Sequence, residues 1–176
     1  SLQTYGAGFI YPEYALFTES EININDRFVA RAGFRGEFSP LLQEWQLVPR
    51  VSMAYHTGDY SQVSVAYGMF RQRPENRYLL FSHELQSERA THIILNYQYE
   101  VSDRIFRAEV YRKWYNNLLK FESEINPDPA SYSNDGEGFA QGIDLFWRDS
   151  RTIPDLDYWF SYSFIRSERN YRDYPE

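Results

Sequence analysis

The chain of 176 residues contains no cysteine, so it carries neither a disulfide framework nor a thiolate-ligated metal site. Imidazole is scarce as well: His56, His83 and His92 are the three histidines, and no pair has the HxH or HExxH spacing of a metal site. No apolar run approaches the roughly 20 residues that a membrane helix requires. No glycine-rich phosphate loop and no nucleophile elbow occurs. Basic excess is missing too, since 18 Lys and Arg stand against 25 Asp and Glu, a net charge of -7. Phosphate binding needs a basic face, so nucleic acid is excluded as a partner. Carboxylate pairs such as Glu122 and Glu124 read as solvated loop decoration, and no catalytic, cofactor-binding or metal-binding residue is assigned. The chain is not expected to be an enzyme.

Aromatic residues are what the sequence has in plenty. Sixteen Tyr, 13 Phe and 4 Trp make up 19% of a chain whose mean hydropathy is -0.63. Many aromatics in a polar chain require elements with one wet and one greasy face. Period-two alternation supplies them. From Phe28 to Phe38 the even positions are Phe28, Ala30, Ala32, Phe34, Gly36 and Phe38, while Arg31, Arg35 and Glu37 occupy the odd ones. The same alternation places Val51, Met53 and Tyr55 opposite Arg50, Ser52 and His56. It recurs through Val63 to Met69, Ile93 to Val101 and Phe106 to Trp114, and in mixed form through Phe139 to Trp147 and Tyr158 to Phe164. With a first strand over Tyr14 to Ile24, about eight antiparallel strands are expected. The stretch Trp114 to Ile125 partly fits a helix face, but the phase set from Phe106 favours an extended strand projecting into a loop.

The links between strands form a second pattern. Asn25-Asp26, Thr57 to Tyr60 and Ser102-Asp103 have hairpin-turn chemistry. Asp149 to Leu156 is intermediate and belongs with them by order. Ser39 to Pro49, Arg71 to Ala90 and Tyr115 to Glu137 are read as long loops. Short and long links alternate, as in an up-and-down barrel of the outer membrane with brief periplasmic turns and long extracellular loops. Tyr55, Tyr67, Tyr99, Trp114, Trp147 and Trp159, near strand ends, fit interfacial aromatic girdles. In hydrocarbon every backbone polar group must find its partner within the protein, which leaves helices and closed barrels; with no apolar helix, the barrel remains. The expected fold class is therefore all-β: a segment of a larger antiparallel up-and-down transmembrane barrel, set in a Gram-negative outer membrane.

Several stretches also resemble a known family. LVPRVSMAYHTGDYSQVSVAYGMFRQRPENRYL is similar to the barrel of TonB-dependent outer-membrane receptors, in which a Pro-Arg-led strand, a short turn and a Tyr-Gly strand precede an extracellular loop. SERATHIILNYQYEVSDRIFRAEVYRKWYNNL resembles the following hairpin. GEGFAQGIDLFWRD and DYWFSYSFIRSERNYRDYP resemble the strands after it, in the style of Bacteroidetes members. The resemblance covers the chain from about Tyr14. It implies that residues 1–176 are a partial barrel domain, without plug domain, TonB box or C-terminal strands, and that the start of the chain is an internal cut.

The implied function of the parent protein is import of a bound nutrient (an iron chelate, a peptide or a glycan), with TonB engaged only through the missing plug region. Lipid and lipopolysaccharide of the outer membrane are the implied surroundings, and no cofactor is implied. The two open edges of such a piece are expected to pair with other chains. A porin-like channel and a soluble β-sandwich or carbohydrate-binding module are the alternatives weighed. Arg71, Arg73, Arg77 and Tyr78, with Glu75 and Asn76 among them, form the candidate ligand-facing loop, because guanidinium forks suit carboxylates and phosphates. Contact between loops, or with lipopolysaccharide, is the ordinary reading of the same cluster. The loop from Asn126 to Glu137 offers oxygen ligands for calcium but lacks EF-hand spacing, so it reads as a solvated turn-rich loop.

Overall fold

A computed structural model describes residues 12–79, 85–121 and 131–170. Eight strands follow in chain order: β1 (Tyr14–Asn25), β2 (Phe28–Ser39), β3 (Glu44–Gly58), β4 (Ser61–Gln72), β5 (Glu88–Val101), β6 (Arg104–Lys120), β7 (Ser133–Asp149) and β8 (Tyr158–Arg169). One helical turn, α1 (Asn76–Leu79), lies between β4 and β5. Each strand pairs antiparallel with the next in a single sheet ordered β1 to β8. No helix among the described residues is long and apolar enough to cross a membrane.

The turns follow from local chemistry. Ser102 and Asp103 both have positive φ, 44° and 64°, which gives the two-residue hairpin that the right-handed twist of β5 and β6 favours. Asn25 accepts the Arg27 N–H on its side-chain oxygen at 2.9 Å and closes the first turn. At the end of β7 the Asp149 carboxylate accepts the N–H groups of Arg151 and Thr152, both at 2.8 Å, and the Thr152 hydroxyl. That carboxylate, with Arg104 at 3.4 Å, organises the link 150–157 into β8.

The expected long loop from Ser39 to Pro49 is not present. Residues 40–43 form a short turn and β3 runs from Glu44, because the alternation of Trp45, Leu47 and Pro49 against Gln46 and Val48 continues in register with Phe38, Gly36 and Phe34. Proline fits inside this strand because its missing N–H faces no partner. His56 N–H points to β2, so the odd positions of β3 point toward β4, and β4 pairs only from Arg50–Gly68 onward. Pro49 therefore lacks a donor where none is used. β6 also continues as a strand through Lys120, as the phase from Phe106 requires, while residues 122–125 of the helix-compatible stretch lie outside the described residues. His83, Glu122, Glu124 and residues 126–130 of the oxygen-rich loop lie outside them too.

Register converts alternation into two faces. One row across all eight strands reads Ile22, Ala30, Met53, Val65, Leu95, Val110, Ile143 and Phe164, every residue apolar. The opposite face carries Glu19, Glu21, Arg31, Arg50, His92, Lys113, Glu109 and Asp144. Arg31 pairs with Glu21 and lies 3.5 Å from Glu19. His56 stands on this polar face, opposite Gln62. Trp159 does as well, because it pairs with Arg148; it leaves the aromatic belt to Phe160, which pairs with Trp147.

Among the described residues no second layer covers the apolar face: Leu95 is 51% exposed and Phe164 54%. Among the described residues the buried apolar ones are Val48, Leu79, Leu85, Leu118, Leu119 and Ala140, gathered toward the end with the long links. A soluble sandwich would instead bury the middle of each strand.

The apolar band is inclined to the rows of the register. On β2 and β3 it reaches Phe38 and Trp45, eight residues above the Ala30–Met53 row. On β4 and β5 it ends below Arg71 and Arg89, six residues above Val65 and Leu95. On β8 it ends below Arg166, two residues above Phe164, and extends down to Phe160 and Tyr158. The drop is about one residue per strand. With a rise of ~3.4 Å per residue and ~4.8 Å between strands, it corresponds to strands tilted roughly 35–40° from the band's normal. Barrel strands tilt by that amount in a bilayer.

Candidate functional site: the mouth at the long-loop end

Above Arg50–Gly68 the ladder between β3 and β4 opens, and the side chains at the strand tops fill the gap. Arg71 reaches Glu44 at 3.6 Å, and Glu44 also accepts the Ser87 N–H at 3.3 Å. Gln46 bonds to the buried Ser87 hydroxyl at 2.5 Å, so the return from the loop into β5 is pinned to β3. A bulge in β6 serves the same end. Asn117 has φ 56°, and its carbonyl accepts the Asn134 side-chain amide at 2.9 Å. Asn134 also exchanges two hydrogen bonds with the backbone of Gln86, at 2.7 and 3.1 Å. Gly136 faces this bulge so closely that a Cβ would lie 2.5 Å from the Leu118 carbonyl oxygen.

The loops thus have a small core of their own, Leu79, Leu85 and Leu119, packed with Leu41, Leu42, Tyr78 and Tyr132. Two adjoining cavities open beside it. One, of about 560 Å³, is lined by Phe70, Arg71, Glu88, Arg89, Tyr115, Leu118 and Arg169 among others. The second, of about 550 Å³, is lined by Arg73, Glu75, Arg77, Tyr78, Glu88, Leu119 and Arg169 among others. Gln72, Glu88 and Arg169 belong to both, so the two form one mouth.

The loop cluster singled out in the sequence is distributed around this mouth. Arg73, Arg77 and Tyr78 share the second cavity, and Arg71 lines the first. Arg73 lies 3.6 Å from Glu13, and burial lowers its pKa below the ordinary arginine value. Arg77 pairs with Glu75 at 3.0 Å and covers the Tyr78 ring at 4.7 Å. Tyr78 meets Tyr132 edge-on, with ring centres 5.4 Å apart, so its ring is part of the loop core. The sequence reading missed Glu88 and Arg169, which lie 3.8 Å apart, and the aromatic floor of Phe70 and Tyr115. They sit at strand ends, where alternation tells the face but not which ends converge. Below, the Phe70 ring packs tilted against His92, with centres 4.5 Å apart, and Arg50 covers Phe70 at 4.8 Å, so the polar face continues from the mouth down the sheet. Among the described residues, no group of His, Asp and Glu is arranged to hold a metal ion.

An open, tilted, single-layer sheet with an apolar outer band, a charged inner face and a loop-walled mouth defines the wall of an outer-membrane β-barrel. The chain belongs to the TonB dependent receptor-like, beta-barrel family, whose model matches residues 3–175. No curated protein matches it. The siderophore receptor PirA from Pseudomonas aeruginosa shares the fold, with a TM-score of 0.76 at 15% identity, over 88% of this chain and 32% of that one. The outer membrane transporter YddB from Escherichia coli gives a TM-score of 0.77 at 14% identity, over 89% and 24%. The FrpB iron transporter from Neisseria meningitidis gives 0.71 at 12%, over 91% and 26%. The chain spans less than a third of the length of these relatives. Its place is the Gram-negative outer membrane, with the long links on the extracellular side.

Proposed function

We propose that the chain is one part of the barrel of a longer TonB-dependent receptor that imports a bound nutrient, and that it contributes wall and extracellular loops, not catalysis. Plug, TonB box and the remaining strands belong to the rest of that protein, and TonB is engaged only through the plug region. Family membership supports this reading. So does the open sheet, since eight strands are a fraction of the ~22 that surround a plugged lumen. Outer-membrane lipid, lipopolysaccharide included, surrounds the apolar face. The observation that carries the proposal is the loop-walled mouth standing directly above a charged inner face.

The ligand meets the mouth lined by Arg71, Arg73, Arg77, Tyr78 and Arg169. Arg71, Arg73, Arg77 and Arg169 have carboxylates at 3.6, 3.6, 3.0 and 3.8 Å. An anionic group on the ligand therefore binds by displacing a glutamate, with Phe70 and Tyr115 offering stacking surfaces.

The test is a deletion of the full-length gene, with and without TonB, scored for uptake of a panel of iron chelates, peptides and glycans. Loss of one ligand class in both strains is the expected result. Unchanged uptake of every class together with steady ion conductance in planar bilayers would assign a porin-like channel instead.

A further inference from the structure

Charge at the mouth is balanced pair by pair. Arg71, Arg73, Arg77 and Arg169 each stand against a carboxylate, that of Glu44, Glu13, Glu75 and Glu88 in turn. A ligand bearing negative charge alone takes a guanidinium and leaves its glutamate uncompensated. That cost is greatest at Glu44 and Glu88, whose side chains are 24% and 21% exposed. A ligand bearing both charges avoids it, because its cation takes the glutamate that its anion displaces. A balanced mouth thus favours a zwitterion over a polyanion.

The wall beneath is not balanced. Arg50, Gly68, His92 and Lys113 are neighbours in one row of the inner face, from β3 to β6. Neither Arg50 nor Lys113 has a carboxylate within ion-pair distance among the described residues. Arg50 covers the Phe70 ring, and the Lys113 ammonium lies 5.0 Å from the centre of Tyr111. Phe70 and Tyr115 stand two residues above this row, on β4 and β6, and form the floor of the mouth. Glu88, shared by both cavities, stands four residues above His92 on β5. At ~3.4 Å per residue that is about 14 Å, the span of an extended tetrapeptide.

We infer that the mouth takes short peptides with free termini, the carboxylate toward Arg50 and Lys113 and the ammonium toward Glu75 and Glu88. Side chains of such a peptide pack on Phe70 and Tyr115, and the Gln72 amide in the same cavity is a partner for its peptide groups. A neutral glycan uses none of these charges, and a polyanionic chelate uses only the cations. The inference rests on the import reading above and names the ligand class within it.

The experiment titrates the full-length receptor in detergent with a pool of tetrapeptides bearing free termini, read by native mass spectrometry. Parallel pools carry an N-acetyl group, a C-terminal amide or both, and citrate serves as the polyanion. A hydrogen bond to a charged group is worth roughly tenfold or more in binding, so each block is expected to weaken binding by at least about tenfold. K113Q should weaken binding of the free pool about tenfold and leave the C-amide pool unchanged. E75Q should weaken the free pool similarly and leave the N-acetyl pool unchanged. If a variant does not fold, the four pools on the parent protein decide. Equal binding of the doubly blocked pool, tighter binding of citrate than of free tetrapeptides, no binding from the free pool, or folded K113Q and E75Q that bind it like the parent would overturn the assignment. TonB-dependent uptake of a different ligand class refutes the peptide alone. Absence of TonB-dependent uptake of any class refutes the import reading and the peptide with it.

Discussion

Replacing Leu95 by arginine puts a charge where the sheet has its deepest apolar row. Leu95 lies six residues below Arg89 and six above Val101, the last residue before the two-residue turn. At a rise of ~3.4 Å and a tilt near 40°, each half measures about 15 Å along the membrane normal, so Leu95 sits near the midplane of a ~30 Å hydrocarbon layer. An arginine on the lipid face at that depth costs roughly 2–4 kcal/mol, which is a roughly 30- to 700-fold loss in the folding equilibrium constant. The adjacent Asn96 points to the polar face, opposite Ser64 and Glu109. Asn96→Arg should fall within about 0.5 kcal/mol, the range of ordinary surface changes. Reversible denaturant unfolding of the full-length receptor in liposomes measures both. Equal effects, or a larger penalty at Asn96, would refute the assignment of faces.

Three further outcomes follow from the geometry. Gly142 faces Tyr111, and a Cβ there would lie 2.5 Å from the Tyr111 hydroxyl, so Gly142→Val should destabilise the folded state by about 1–3 kcal/mol in the same unfolding assay. Gly136→Ala forces a methyl against the Leu118 carbonyl at the β6 bulge and should increase proteolytic nicking of the loops joined there, read by limited proteolysis of intact cells. In the short-turn link, the hydrogen bond and charge of Arg148 hold the Asp157 carboxyl below its ordinary pKa. The stabilisation is therefore present above the unfolded value near ~3.9 and is lost as pH falls through the lower folded value. Asp157→Asn should melt earlier than the parent at pH 6, with the difference closing under acid.

Alternation made most of the sheet legible because each strand separates two solvents, and side chains of opposite character occupy successive positions. It was least informative in β8, where Trp159 and Ile165 on one parity are as apolar as Phe160 and Phe164 on the other. Pairing with Arg148 and Gly142 decides the face there. The sequence reads Ser39 to Pro49 as a long loop and so misses the short turn at 40–43; a proline is harmless where a strand outruns its neighbour. At the mouth, Arg73, Arg77 and Tyr78 stood out as one sequence cluster. Glu88 and Arg169 come from separate strands, and only the register of β4 to β8 brings them to the same cavity.

Everything rests on one sheet having oil on one side and water on the other. This segment contributes no cysteine, so single cysteines placed from 91 to 98 in β5 can carry a fluorophore one at a time in the full-length receptor. Quenchers attached to lipid chains should dim labels at 91, 93, 95 and 97, and a water-soluble quencher those at 92, 94, 96 and 98. Quenching that fails to alternate, or lipid contact at the even positions, would contradict the barrel wall described above.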